Sequence, residues 1–125
     1  MTTRKVLIVE DEAIVAMALS RALPRFGYEI CRVLASGEEA LTFVETLLPD
    51  LILMDIHLLG AMDGIETAAR IRAHHATPIV FMTGYDSNEI QGKTQHISNA
   101  AIVGKPIGIV ALASVIEQML TNANN

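Results

Sequence analysis

Short runs of consecutive apolar residues alternate along the chain with longer segments in which apolar residues recur every three or four positions. The short runs predict strands buried on both faces of a parallel sheet, and the spaced segments predict amphipathic helices. Five strands and five helices in alternation predict a doubly wound α/β fold, in which right-handed crossovers place helices on both faces of the sheet. The predicted strands are residues 5–9, 28–35, 51–55, 78–83 and 100–103.

The first two helices carry clear apolar repeats. In the first, Pro24 is expected to kink or fray the last turn, and in the second, Ser36 and Glu39 fit a capping box. The repeated apolar positions of the first helix are Ile14, Met17, Ala18, Ala22 and Phe26, and the expected buried face of the second comprises Ala40, Leu41, Val44, Leu47 and Leu48.

The segment from Gly84 to Ala100 is polar, and its evident apolar anchors are Ile90 and Ile97. A helix with so few apolar contacts has little to stabilise it, so the fourth helix is expected to be short or marginal. The second strand is more polar than the others, which favours a position at the edge of the sheet.

Composition limits the classes of function. The chain has 125 residues, enough for one domain, residues 1–125, and it carries a net charge of -5 without a cluster of basic residues. Direct nucleic-acid binding is therefore not expected. No apolar stretch is long enough to span a membrane, which predicts a soluble, cytoplasmic protein. The single cysteine, Cys31, is interpreted as structural.

Polar residues follow four of the predicted strands: Glu10 and Asp11 follow the first, Asp55 ends the third, Thr83 ends the fourth, and Lys105 follows the fifth. Because the carboxyl ends of parallel strands lie at one edge of a sheet, these residues are expected to converge. Three carboxylates so close together repel one another unless a cation lies among them.

A hard, oxygen-seeking ion such as Mg²⁺ would satisfy these carboxylates and would keep water ligands that a phosphoryl group can displace. Asp55 is then the candidate nucleophile that accepts phosphate, while Lys105 and Thr83 can bind the phosphoryl oxygens. For Glu12, favourable negative charge at the start of the first helix is the preferred interpretation.

With these residues the chain resembles the CheY-like receiver domains of two-component response regulators over essentially its whole length. The resemblance implies a flavodoxin-like fold with strand order 2-1-3-4-5. It also implies phosphotransfer from a histidine kinase, so that the chain would be a signalling receiver and not an enzyme in its own right. The residues that carry it are Glu10-Asp11, Asp55, Asp63-Gly64, Thr83 and Lys105-Pro106.

The same resemblance assigns roles to individual residues. Mg²⁺ would be held by Asp11, Asp55 and the backbone carbonyl of His57, with Glu10 acting through water. Lys105 and Thr83 would bind the phosphoryl oxygens, and a cis peptide bond between Lys105 and Pro106 would aim the lysine.

The chain departs from the family pattern in four places. The loop after Asp55 lacks the proline of the common Pro-Gly-Met-Asp-Gly sequence and has one extra residue, since it reads Leu-Gly-Ala-Met-Asp-Gly from Leu59. Ile102 stands where many receivers have a switch aromatic. Residues 81–85 are similar to the Phe-Ala-Thr-Gly-Tyr signature of an alphaproteobacterial subclass. His57 and Tyr85 occupy positions that tune hydrolysis of the acyl phosphate, and their rings are hypothesised to shield it.

Two other classes of function stay open. A phosphatase that forms an aspartyl phosphate usually has a second acid two residues after the nucleophile, where this chain has His57. A degenerate receiver could serve only as a docking module. For a working receiver, the expected partners are a histidine kinase and an unknown downstream protein, the expected state is a monomer, and the chain is either a stand-alone regulator or the receiver of a longer protein.

Overall fold

The computed structural model describes residues 3–84 and 87–123, without the side chains of residues 87–89 and 123. The elements found there alternate as the sequence predicts. The strands are β1 (Arg4–Val9), β2 (Tyr28–Leu34), β3 (Leu51–Asp55), β4 (Ile79–Thr83) and β5 (Ala100–Gly104), and the helices are α1 (Ala13–Ala22), α2 (Gly37–Leu47), α3 (Gly64–Arg72), α4 (Ser87–Thr94) and α5 (Ile109–Ala123).

All five strands pair in parallel in the order β2-β1-β3-β4-β5, which confirms the predicted doubly wound, flavodoxin-like topology. The more polar β2 lies at one edge, as expected. Residues of β3 are buried along the whole strand because it lies in the centre of the sheet with helices on both faces.

Side chains of the central strands alternate between two hydrophobic clusters, one on each face of the sheet. On one face Leu7, Ile52 and Phe81 pack with residues of α2, α3 and α4. On the other face Ile8 and Leu53 pack with α5 and with residues from the end of α1. A continuous apolar run is needed here because each strand supplies both clusters.

The apolar repeat of α1 does not mark its buried face. Ile14 is 84% exposed, Met17 51% and Phe26 41%, whereas Ala16 and Leu23 are buried. Apolar residues surround α1 on almost every side, so their spacing matches more than one helical face. The helix ends at Ala22 and continues as a 3₁₀ turn, Leu23–Phe26, that contains Pro24.

The start of α2 is capped as predicted, because the Glu39 amide donates to Ser36 Oγ at 3.2 Å. The Glu39 carboxylate accepts from the Ser36 hydroxyl at 3.1 Å, whereas in a complete capping box it would accept from the Ser36 amide. At the other end, Leu48 was wrongly predicted to be buried. It lies beyond the helix with φ of 46° and is 66% exposed.

The fourth helix is short, as predicted, at eight residues. Ile90 and Ile97 are both buried against the core, so the two predicted anchors of this segment are confirmed. Across the described residues, the helices are too short or too polar for any of them to cross a membrane.

Candidate functional site

The polar residues predicted at the strand ends come together at the carboxyl edge of the sheet. Asp55 at the end of β3 pairs with Met82 of β4. Thr83 follows Met82 and pairs with Gly104 of β5, which immediately precedes Lys105. The Lys105 amide also donates to the Thr83 carbonyl oxygen at 2.7 Å, which ties the end of β5 to the end of β4.

Three carboxylates form a compact cluster at this edge. Glu10, Asp11 and Asp55 each offer an oxygen within 4.8 Å of the other two. Glu10 and Asp55 are each only 2% exposed, and Asp11 is half-buried. A buried set of carboxylate oxygens is the donor chemistry that a hard divalent cation prefers, so these residues fit a metal ion such as Mg²⁺.

Lys105 is the cation that the described residues place among these acids. Its Nζ lies 2.9 Å from Glu10 Oε2, 3.4 Å from Asp55 Oδ2 and 3.4 Å from Glu12 Oε1. Burial lowers the pKa of Lys105, but these carboxylates together raise it above its ordinary value. Burial has the largest effect on Glu10 and raises its pKa. The hydrogen bond from Lys105 lowers this pKa and repulsion from Asp55 raises it, and the net result is a pKa above the ordinary value.

Glu12 also contacts Lys105. The sequence indicated only that Glu12 supplies favourable negative charge at the start of the first helix, and it did not predict this contact. Glu12 occupies the N-cap position of α1, but its side chain makes no capping hydrogen bond and reaches Lys105 instead. The signal available in the sequence was only that a third acid follows Glu10 and Asp11.

Backbone amides orient the carboxylates of the cluster. The His57 amide donates to Asp55 Oδ1, the Leu59 amide to Asp11 Oδ2 and the Glu12 amide to Glu10 Oε1, each at 3.1 Å. These hydrogen bonds limit the rotation of the three carboxylates.

Gly64 packs directly against the backbone of Asp55. The sequence indicated only that Gly64 is a turn residue and did not predict this close contact. The Gly64 amide donates to the Ile56 carbonyl oxygen at 2.8 Å, and a Cβ atom at this position would overlap the carbonyl oxygen of Asp55. The preceding Asp63 caps α3 by accepting from the Glu66 amide at 2.8 Å.

Four residues were predicted to modulate the site, and the structure describes three of them. His57 is exposed, Pro106 is exposed and follows a cis peptide bond with Lys105, and Tyr85 falls outside the described residues. Ile102 pairs with Phe81 in the sheet and is half-buried against the hydrophobic cluster that includes α4.

An apolar depression opens beside Lys105. Its lining includes Ile14, Ala18, Pro106 and Ile107. Leu59, which is 76% exposed, adds apolar surface close to the acids through the loop that contacts Asp11.

Comparisons with known proteins all point to receiver domains of response regulators. The family model of the response regulator receiver domain matches residues 6–117. The receiver domain of a modulated diguanylate cyclase from Desulfovibrio desulfuricans G20 is 36% identical, with a TM-score of 0.89 over 97% of this chain and 96% of that one. The chemotaxis protein CheY4 of Vibrio cholerae is 26% identical, with a TM-score of 0.86 over 94% and 99%.

Among curated proteins, the transcriptional regulatory protein PdtaR of Mycobacterium tuberculosis is 35% identical over 91% of this chain. The match spans only 55% of PdtaR, so this chain corresponds to about half the length of that relative.

Proposed function

The chain belongs to the response regulator receiver domain family, and from this premise we propose that it accepts a phosphoryl group from a histidine kinase on Asp55. The observation that carries the proposal is the buried Asp55 carboxylate, which lies between two further acids and 3.4 Å from Lys105. In this reaction an Asp55 oxygen forms the new P–O bond while the P–N bond of the donor phosphohistidine breaks and the imidazole leaves.

Asp11, Asp55 and the backbone carbonyl of His57 would hold Mg²⁺, with Glu10 acting through water. The ion would neutralise charge on the phosphoryl oxygens when it is bound. The proximity of the three carboxylate oxygens supports this assignment, because Lys105 brings one positive charge to a cluster of three carboxylates.

Lys105 would exchange part of its contact with Glu10 and Glu12 for the new phosphoryl oxygens, because a dianionic phosphoryl group offers it more negative charge. The Thr83 hydroxyl would donate to the same group. Thr83 is buried at the end of β4, one residue beyond the partner of Asp55 in the sheet.

The conformational change that transmits the signal would take place in the segment from Gly84 to Val103. Its helix, α4, is short and contains Gly92, so local contacts at Thr83 can bias its order at a small cost in free energy. Ile102 in place of a switch aromatic, and Tyr85 after Thr83, would set how this segment responds, and His57 with Tyr85 would limit the access of water to the phosphate.

The phosphodonor must bring its histidine to Asp55, so it must also cover the surface around the site. The apolar depression next to Lys105, bordered by Ile14 and Pro106, supports a docking surface for the helices of a histidine kinase. Residues 1–125 would act as one cytoplasmic, monomeric receiver domain that catalyses only its own phosphorylation and dephosphorylation and signals to a downstream protein.

Backbone amide NMR tests the proposal with wild type and Asp55→Asn, in Mg²⁺ and then with beryllofluoride, which mimics the phosphoryl group. Mg²⁺ should shift amides beside Glu10, Asp11 and Asp55, and beryllofluoride should then shift wild type alone, at the site and through α4 and β5. Asp50→Asn is the matched control, since it lies in the loop before β3 and can still accept from the Lys5 amide. Wild type that responds to neither addition would contradict the proposal and favour a docking module.

A further inference from the structure

The amide of Leu59 donates to Asp11 Oδ2 at 3.1 Å, across 48 positions of sequence. We propose that this N–H is the positioning group of Asp11, holding its carboxylate in the orientation that binds Mg²⁺. The inference rests on the proposed Mg²⁺ site and adds a residue that the family pattern does not assign to it.

The orientation of Asp11 depends on one hydrogen-bond donor, whereas Glu10 and Asp55 each have two partners in the described residues. Glu10 contacts Lys105 and the Glu12 amide, and Asp55 contacts Lys105 and the His57 amide. For Asp11, the hydrogen-bond partner in the described part of the chain is the Leu59 amide. Asp11 is also the most exposed of the three acids, so packing restrains its side chain less than it restrains those of Glu10 and Asp55.

A carboxylate that binds a metal through one lone pair is oriented by donors to its other lone pairs. Removing such a donor typically lowers metal affinity by about 10-fold to 100-fold. The Leu59 N–H is such a donor. Because it carries no formal charge, it can orient Asp11 without neutralising the negative charge that attracts a cation.

The loop after Asp55 provides the donor because of its sequence. A proline at position 59, as in the common family pattern, would have no N–H to donate. The Leu59 side chain is 76% exposed, so the contribution of this residue comes chiefly from its backbone. Gly60 follows with φ of 109°, a conformation that favours glycine and turns the chain immediately after the donor.

Leu59→Pro removes the donor, and Leu59→Ala removes the exposed side chain but keeps the donor. Mg²⁺ titrations followed by amide NMR and by calorimetry should give a dissociation constant about 10-fold or more weaker for Leu59→Pro. Leu59→Ala should bind as wild type does. A Leu59→Pro variant that binds Mg²⁺ as tightly as wild type, or more tightly, overturns the inference. Wild type that does not bind Mg²⁺ would instead overturn the proposed function.

A second measurement does not depend on proline being accommodated in the loop. Hydrogen exchange of the Leu59 amide should be slower in wild type than in Asp11→Ala, both without Mg²⁺ and with saturating Mg²⁺. If saturating Mg²⁺ makes this amide in wild type exchange as fast as in Asp11→Ala, the ion has broken the hydrogen bond. The inference then fails, even where wild type binds the ion.

Discussion

Lys105 Nζ lies 2.9 Å from Glu10 Oε2, although the two residues are 95 positions apart in sequence. The Glu10 side chain has no exposed surface and that of Lys105 is 19% exposed, so solvent screens this pair only weakly. The ion pair therefore joins the ends of β1 and β5 around Asp55 before any phosphoryl group arrives.

Lys105→Ala should lower the free energy of unfolding by about 1 to 3 kcal/mol, because it leaves Glu10 buried without a cation. Glu10→Gln in the same chain should recover part of this loss. Urea unfolding of the two single variants and the double variant without Mg²⁺ measures the coupling between the two residues. Lys5→Ala, at an exposed position of β1, is the control. Single-variant losses that simply add in the double variant would show that the pair is not coupled.

Gly64→Ala should destabilise the protein by about 2 kcal/mol or more, because its Cβ would overlap a backbone oxygen and not a flexible side chain. The displaced Asp55 should also lose its response to beryllofluoride. Gly92→Ala is the matched control, since a Cβ there meets nothing within 4 Å. It should stabilise α4 by about 0.5 to 1 kcal/mol. Thermal unfolding and amide NMR of both variants measure these effects, and equal stabilities would contradict the predicted overlap.

Much of this fold is predictable from sequence because the central strands are buried on both faces. A run such as Leu51–Met54 has to be continuous and apolar, and no other element of this length gives that pattern. The face of α1 is not predictable in the same way. Ile14 and Ala16 are both apolar, and only the position of α1 against the sheet decides that Ala16 is buried.

The candidate site likewise contains residues that the sequence predicts and contacts that it does not. Glu10, Asp55 and Lys105 can be predicted from the sequence because each stands at the end of a predicted strand or within two residues of it. The contact of Glu12 with Lys105 and the hydrogen bond from Leu59 to Asp11 depend on how loops approach the sheet edge. No local sequence pattern encodes that approach, so these contacts are recognised only in the folded structure.

Tyr28→Phe should lower the free energy of unfolding by about 1 to 2 kcal/mol at neutral pH, because the Tyr28 hydroxyl donates to Glu117 Oε2 at 2.6 Å. Burial and this carboxylate raise the pKa of Tyr28 above its ordinary value of 10.0. The contribution is thus fully present below that value and is lost as pH rises towards the folded-state pKa. Urea unfolding at increasing pH should show wild type converging on Tyr28→Phe above pH 10. A constant difference between them would contradict the linkage.

Ile14→Ser should slow phosphotransfer from the cognate kinase but leave phosphorylation by acetyl phosphate unchanged. Ile14 is 84% exposed and borders the apolar depression beside Lys105, so its loss removes surface that a protein donor would bury and a small donor would not. Transfer rates from both donors, measured by the appearance of phosphoprotein, separate docking from chemistry.

Leu48→Ser is the matched control for that experiment. Leu48 is also apolar and 66% exposed, but it precedes β3 and lies at the opposite edge of the sheet from Asp55. This variant should keep wild-type rates with both donors. If Ile14→Ser slows both donors equally, the side chain supports the geometry of the site itself. If neither rate changes, the kinase approaches Asp55 over another part of the rim, and the loop at Leu59 becomes the next surface to alter.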